Sequence, residues 1–169
     1  MATVAAGAKR AKPLTADGYE KFLAVAAIAL LITVLVALAR GYQHWGAVPP
    51  LVWAHLATIL PALALTPVML LRPRGDKNHR LLGKIWVAAM FLTALLSFGV
   101  RESHHGSLSF IHLISAYVIV AAPLIWWTAR NHHVARHRTQ VRGMVTGALL
   151  VAGFFTFPFG RMLGSWLFA

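Results

Sequence analysis

The stretch LVWAHLATILPALALTPVMLL, from Leu51 to Leu71, decides the fold of this chain. It contains no Asp, Glu, Lys or Arg over the length of a bilayer-spanning helix, which takes about 20 mainly apolar residues. Its one histidine, His55, stands among apolar neighbours, although polar side chains are costly in lipid. The stretch predicts a membrane-spanning helix and raises the question of why an imidazole is kept within it.

Further apolar stretches of the 169-residue chain have the same character. They are Phe22–Ala39, Ile85–Val100, Leu108–Ala129 and Gly143–Gly160. The third span is extended back towards residue 81, because a lysine at position 84 can reach the interface with its ammonium group. We predict an all-α integral membrane protein with five transmembrane helices, at about 22–39, 51–71, 81–100, 108–129 and 143–160. A tail at 1–19 precedes a single membrane domain over 20–169.

The basic residues predict the orientation of these spans. The chain carries a net charge of +12 and only four acidic residues, and it has no cysteine for disulfides or thiolate metal sites. Of its 16 Lys and Arg residues, 13 lie before span 1, between spans 2 and 3 or between spans 4 and 5. The positive-inside rule places these segments in the cytoplasm and the C-terminus outside. Basic clusters arranged in this way favour anionic lipid headgroups as partners, and nucleic-acid binding is not predicted.

An internal repeat relates spans 2–3 to spans 4–5. One copy is HLATILPALALTPVMLLRPRGDKNHR (His55–Arg80), and the other is HLISAYVIVAAPLIWWTARNHHVARHR (His112–Arg138). Each copy opens with His-Leu, holds a proline about three turns later (Pro67 and Pro123) and closes with His-Arg. Two parallel copies of one helical hairpin predict a four-helix bundle of spans 2–5, with span 1 packed outside it.

The repeat sorts four histidines into two pairs at matching depths. His55 and His112 begin spans that run inward, whereas His79 and His137 begin spans that run outward. Two imidazoles that face each other across a bundle are the axial ligands of a b-type haem. The pattern therefore predicts one or two haem b groups, with iron bound by His55 and His112 near the outer face and by His79 and His137 near the inner face.

Arginines near both pairs fit the carboxylates of haem. Haem propionates favour arginine partners, since the guanidinium binds carboxylate bidentately. Arg40 and Arg101 lie near the outer pair, and Arg80 and Arg138 lie near the inner pair. Of these, Arg101, Arg80 and Arg138 are the predicted cofactor-binding residues. The expected electron donors or acceptors are quinols or a neighbouring redox subunit.

Other interpretations of the histidines remain open. A histidine at a helix end also suits the half-hydrated headgroup zone without any ligand. His44 with His104 and His105 could form a surface copper or zinc site. The five apolar runs lack Asp and Glu, which disfavours carboxylate-coupled transport, and no nucleophile–base–acid set predicts catalytic residues.

Four blocks of sequence carry a resemblance to a known family. They are HRLLGKIWVAAM (His79–Met90), SFGVRESHHGSLSFIHLIS (Ser97–Ser115), ARHRTQVRGMVTGALLVAGFFTF (Ala135–Phe157) and FGRML (Phe159–Leu163). Over roughly residue 50 to the C-terminus, the chain resembles the bacterial polytopic membrane proteins catalogued as Domain of Unknown Function 2306. The resemblance implies a small multi-pass protein of the bacterial inner (plasma) membrane with this span order, and it implies no established activity. Arg101 departs from the family pattern, which more often has histidine there.

The layout is also similar to the ascorbate-linked diheme transmembrane b-type cytochromes, by architecture and not by motif. The predicted function is accordingly membrane electron transfer by b-type haem held between paired transmembrane histidines. The alternative is a non-catalytic accessory subunit of a larger respiratory or photosynthetic membrane complex, in contact with lipid, quinone or pigment. Both hypotheses predict the lipid bilayer and other membrane subunits as partners.

Overall fold

The computed structural model describes residues 15–100, 110–158 and 160–168, and the regular structure in these ranges is helical throughout. The helices are α1 (Gly18–Arg40), α2 (Pro50–Leu71), α3 (Lys77–Ser97), α4 (Phe110–Arg130), α5 (Val134–Met144), α6 (Ala152–Phe154) and α7 (Met162–Phe168). A 3₁₀ turn, Tyr42–Ala47, joins α1 to α2. A π-helical segment, Val145–Val151, joins α5 to α6.

Helices α1, α2, α3 and α4 are each long and apolar enough to cross a membrane. By length and composition the chain is therefore an all-helical membrane protein. The predicted spans at 22–39, 51–71, 81–100 and 108–129 fall on these four helices, each within a few residues of its ends. Long apolar runs predict such helices well, because an apolar segment in lipid must satisfy its backbone groups internally.

The fifth predicted span, at 143–160, is not one continuous helix, so the count of five spans is not confirmed. The helix begins earlier, at Val134, widens into the π-helical segment and ends at Phe154. Pro158 cannot donate a backbone hydrogen bond, and Gly160 adopts φ +68°, a left-handed conformation that glycine accommodates. Helix α7 then begins at Met162.

The helices alternate in direction and define two ends of the molecule. One end, here called the Glu20 end, holds the start of α1, the α2–α3 connection and α5, which are joined by ion pairs. The opposite end, here called the His55 end, holds the end of α1, the start of α2 and helix α7. Residues of α1, α2 and α7 form one core cluster there.

Helix α1 is part of the bundle and does not lie outside it. It packs against α2 on one side and against the π-helical segment and α7 on the other. Its Leu23, Ala24 and Ala27 are buried in the same core cluster as residues of α2, α3, α4 and α5. Small alanine side chains allow the close approach of neighbouring helices. The predicted four-helix bundle of two hairpins, with span 1 outside, is therefore not confirmed.

A buried hydrogen bond joins α2 to α3 within this core. The Trp86 Nε1–H donates to Thr66 Oγ1 at 2.9 Å, and Thr66 Oγ1 donates to the Ala62 carbonyl oxygen at 2.8 Å. Trp86 and Thr66 are 4% and 1% exposed. The threonine hydroxyl therefore satisfies an indole N–H that has no access to water.

Thr66→Val should lower the free energy of unfolding by about 1–3 kcal/mol, because it leaves the Trp86 N–H buried without an acceptor. Thr33→Val is the matched control, since the Thr33 hydroxyl donates only to the Ala29 carbonyl oxygen of its own helix. Unfolding by a denaturing detergent in mixed micelles measures both variants. Equal stability of the two variants would contradict a role for the interhelical bond.

Candidate functional site

A cavity of about 510 Å³ opens among the helices at the His55 end. Its volume lies in the range of roughly 300–1,000 Å³ that is typical of small-molecule sites. Its walls come from α1, α2, α3, α4, the π-helical segment, α6 and α7, and most of the lining is apolar. The polar residues of the lining are His55, Thr93, Ser97, His112, Ser115, Thr156 and Arg161.

The hydrogen bonds of His55 fix which of its nitrogens carries the proton. Ser97 Oγ donates its one proton to the Thr93 carbonyl oxygen at 2.8 Å. The same Oγ lies 3.2 Å from His55 Nδ1. With the serine proton used on Thr93, the arrangement favours the tautomer in which Nδ1 carries the proton and donates to Oγ. His55 Nε2 is then unprotonated and able to accept a hydrogen bond or to bind a metal. A serine in this position orients the imidazole in the way that supporting residues orient metal ligands.

His112 lines the same cavity from α4. Its ring packs against Phe98, with the ring centroids 5.7 Å apart and the planes inclined at 50°. The two histidines that the repeat paired near the outer face are thus brought to one cavity. Ligation of haem iron by this pair stays a prediction.

Three of the lining hydroxyls use their protons within the protein. Thr93 Oγ1 donates to Thr58 Oγ1 at 2.8 Å, and Thr156 Oγ1 donates to the Gly153 carbonyl oxygen at 2.6 Å. With Ser97 bonded to the Thr93 carbonyl, these three hydroxyls offer a ligand mainly acceptor lone pairs. The cavity is thus mainly apolar, with hydroxyl acceptors on α3 and at Thr156.

An ion-pair cluster occupies the Glu20 end. It consists of Glu20, Asp17, Arg74, Arg138 and Arg142, and is called the Glu20 cluster below. Glu20 is 1% exposed. Arg138 holds its carboxylate bidentately, with Nε 2.7 Å from Oε1 and Nη2 2.8 Å from Oε2. Arg74 Nη2 lies 2.5 Å from Glu20 Oε2, and Arg142 Nη2 lies 3.1 Å from Oε1.

Asp17 extends the Glu20 cluster at the start of α1. It caps the helix by accepting from the Glu20 backbone N–H at 3.0 Å, and it also pairs with Arg138 at 3.0 Å and with Arg142. The Glu20 backbone N–H, and after it the Arg142 side chain, hold the pKa of Asp17 below its ordinary value. The cluster ties α1 to the α2–α3 connection and to α5.

The second predicted histidine pair lies at the Glu20 end, with His79 in the first turn of α3 and His137 on α5. His137 Nδ1 lies 3.2 Å from the Ile125 carbonyl oxygen and donates to it, which leaves Nε2 unprotonated. His79 Nδ1 is buried, and no described residue bonds to it. Ligation of a second haem here stays a prediction.

The predicted propionate partners have different surroundings. Arg138 is engaged by Glu20 and Asp17, as described above. Arg80 is exposed on α3. Arg101 lies outside the described residues, and so do His104 and His105 of the proposed surface metal site.

His44, the third residue of that surface site, lies in the 3₁₀ turn and stacks on Trp166 with ring centroids 6.4 Å apart. Within the part of the chain that the structure describes, no three His, Cys, Asp or Glu side chains cluster as metal ligands.

No family model, curated protein or solved structure matches this chain. The resemblance to the Domain of Unknown Function 2306 proteins stays a prediction.

Proposed function

We propose that this chain is a membrane electron-transfer protein that binds b-type haem in the cavity at the His55 end, between His55 and His112. One observation carries the proposal: an imidazole held through Nδ1 by Ser97, with Nε2 unprotonated, lines one cavity with a second imidazole. Neutral imidazole nitrogen is the axial ligand of haem iron, and its other ring nitrogen is usually bonded to a supporting group.

The residues present fit the needs of such a cofactor. Haem, when bound, supplies reversible one-electron chemistry at its iron. His55 and His112 would hold the iron, and Ser97 would keep His55 in the correct tautomer. The apolar walls from the surrounding helices would exclude water and, together with the axial ligands, tune the reduction potential.

In the proposed arrangement the Glu20 end faces the cytoplasm and the His55 end faces the outside of a bacterial inner membrane. The basic loops at the Glu20 end support this orientation through the positive-inside rule. Helices α5 and α6, with the π-helical segment between them, would make the fifth, broken crossing. His79 and His137 would hold a second haem, so that electrons pass between the two faces to a quinone or a neighbouring subunit.

An optical spectrum tests the proposal. Protein purified in mild detergent and titrated with haem should develop a Soret band at a fixed stoichiometry, and the band should sharpen and shift on reduction with dithionite. Folding is checked in the same sample by its helical circular dichroism. A protein that keeps its helical spectrum and takes up no haem would overturn the proposal.

Ser97→Ala should weaken haem binding by about 10- to 100-fold, because the variant no longer orients His55 through Nδ1. Ser165→Ala is the matched control, since Ser165 is exposed and its hydroxyl donates only to the Met162 carbonyl oxygen of its own helix. Titration of both variants followed at the Soret band measures the change. Equal affinities in the two variants would show that Ser97 does not support the ligand.

A second candidate function is that of an accessory subunit which holds an isoprenoid or acyl chain. A groove of about 230 Å³ runs between α4 and the π-helical segment and is lined by Leu113, Ile114, Tyr117, Gly147 and Val151. Its apolar walls fit the tail of a quinone or a lipid, or an apolar helix of another subunit. Purification in mild detergent with the native membrane tests this function, and a lone monomer without bound lipid or quinone would count against it.

A further inference from the structure

Arg161 stands out among the residues of the cavity at the His55 end. It follows the left-handed turn at Gly160, begins the segment that leads into α7 and lines the cavity with His55 and His112. Its side chain is only partly exposed, and no described residue forms an ion pair or hydrogen bond with its guanidinium. A guanidinium stays charged and offers five N–H donors, so leaving it unpaired beside an apolar cavity is costly.

The acidic residues of the chain do not supply a partner within the described ranges. The chain has four Asp and Glu residues. Asp17 and Glu20 belong to the Glu20 cluster, and Asp76 caps α3 and pairs with Arg72 at 2.8 Å. All three lie at the Glu20 end, and the fourth, Glu102, is outside the described residues. The described part of the His55 end therefore holds a cation without a carboxylate.

The backbone holds Arg161 in this place. Gly164 packs directly against the Phe157 carbonyl group, where any side chain would clash. The segment between Phe157 and Gly164 thus folds back on itself. Trp166 in turn packs against Gly41 at the end of α1, which anchors α7 to the bundle. Arg161 is therefore carried by a packed element that forms part of the cavity wall.

The cavity presents three kinds of group to a ligand. His55 offers an unprotonated nitrogen, the walls offer apolar surface, and Arg161 offers several charged N–H donors. The hydroxyl protons of Ser97, Thr93 and Thr156 are already used within the protein. A ligand that matches this set has an apolar body, an atom that binds to imidazole and an anionic group that accepts from a guanidinium.

We infer that Arg161 binds a carboxylate of the molecule held in the cavity at the His55 end. The inference rests on the proposed function, because a b-type haem carries propionate carboxylates on an apolar ring and an iron that binds imidazole. A carboxylate suits the planar guanidinium because the two can form paired, charge-assisted hydrogen bonds. Arg161 makes the cavity selective for acidic over esterified ligands, and the prediction for Arg101 stays a prediction.

The test compares haem with haem dimethyl ester, and metal-free protoporphyrin IX with its dimethyl ester. The wild-type protein should bind each free acid about 10- to 100-fold more tightly than its ester. Arg161→Gln should remove this preference while it retains the affinity for the esters, and the retained affinity shows that the variant is folded. Arg40→Gln is the matched control, since Arg40 lies at the same end and does not line the cavity.

The outcomes separate this inference from the proposed function. A haem spectrum of bis-imidazole type with equal binding of acid and ester would overturn the inference and leave the proposed function standing. Arg161-dependent binding of metal-free protoporphyrin, with no imidazole ligation of haem iron, would support the inference and overturn the proposed function. An unchanged preference in Arg161→Gln, or no binding of either free acid, would overturn the inference.

Discussion

Glu20→Gln is expected to lower the free energy of unfolding by about 3–5 kcal/mol. Glu20 is 1% exposed and accepts from the guanidinium groups of Arg74, Arg138 and Arg142. The neutral amide cannot balance three arginines, and its NH₂ group would face donors where the carboxylate had offered only acceptors. For this reason, removing one partner of a buried ion pair destabilises the fold. It does so even where replacing the whole pair by apolar residues would leave the stability unchanged.

The control for this prediction is Asp76→Asn. Asp76 also pairs with an arginine, Arg72, but its side chain is 47% exposed, and asparagine can still cap α3. This variant should change the free energy of unfolding by about 1 kcal/mol or less. Denaturant titration in micelles at neutral pH compares the two. A Glu20→Gln protein as stable as the Asp76→Asn protein would show that the Glu20 cluster does not hold the fold together.

His55→Ala is expected to abolish haem binding at the His55 end, with the low-spin spectrum of that site lost altogether. An alanine provides no axial ligand, and the hydrogen bond from Nδ1 to Ser97 disappears with the imidazole. His112→Ala should have the same effect through the other axial position. The haem proposed between His79 and His137 should remain, so that about half of the Soret absorbance persists.

His44→Ala is the control, since His44 is exposed at the same end, outside the cavity. It should keep the full haem content. Haem content per protein is measured by the pyridine haemochrome spectrum, and helical content by circular dichroism. Loss of both haems from a folded His55→Ala protein would contradict two separate sites, and full retention would contradict ligation by His55.

Sequence patterns predict the first four helices closely and the arrangement of the bundle poorly. Runs without charge predict α1 to α4, because lipid leaves an apolar segment no alternative to a helix. The start of α5 is hidden, since Val134 opens a polar, arginine-rich segment without an apolar run. The position of α1 depends on Glu20, which lies between the predicted tail at 1–19 and the first predicted span at 22–39. The scarcity of acidic residues beside many arginines was the signal that could have revealed it.

The candidate site was predictable in part. The repeat pairs His55 with His112, and both line one cavity. Ser97 carries no signal in the sequence, because its contact with His55 depends on how α2 and α3 are rotated against each other. Arg161 is the one Lys or Arg after the fifth predicted span. This isolated position is the feature of the sequence that could have identified it as a candidate site residue. Its place in the cavity wall follows from the break at Pro158 and Gly160, which a simple count of apolar residues does not foresee.

The Glu20 cluster has a consequence for synthesis of the protein. The bonds from Arg138 and Arg142 to Glu20 span 118 and 122 positions of sequence. When α1 enters the bilayer, its carboxylate meets neither arginine, and a chain that has emerged through α4 can neutralise it with Arg74 alone. Closure of the bundle must therefore wait for α5 to leave the ribosome. A nascent chain arrested before Val134 therefore lacks two of the three arginines that bind Glu20 in the finished bundle.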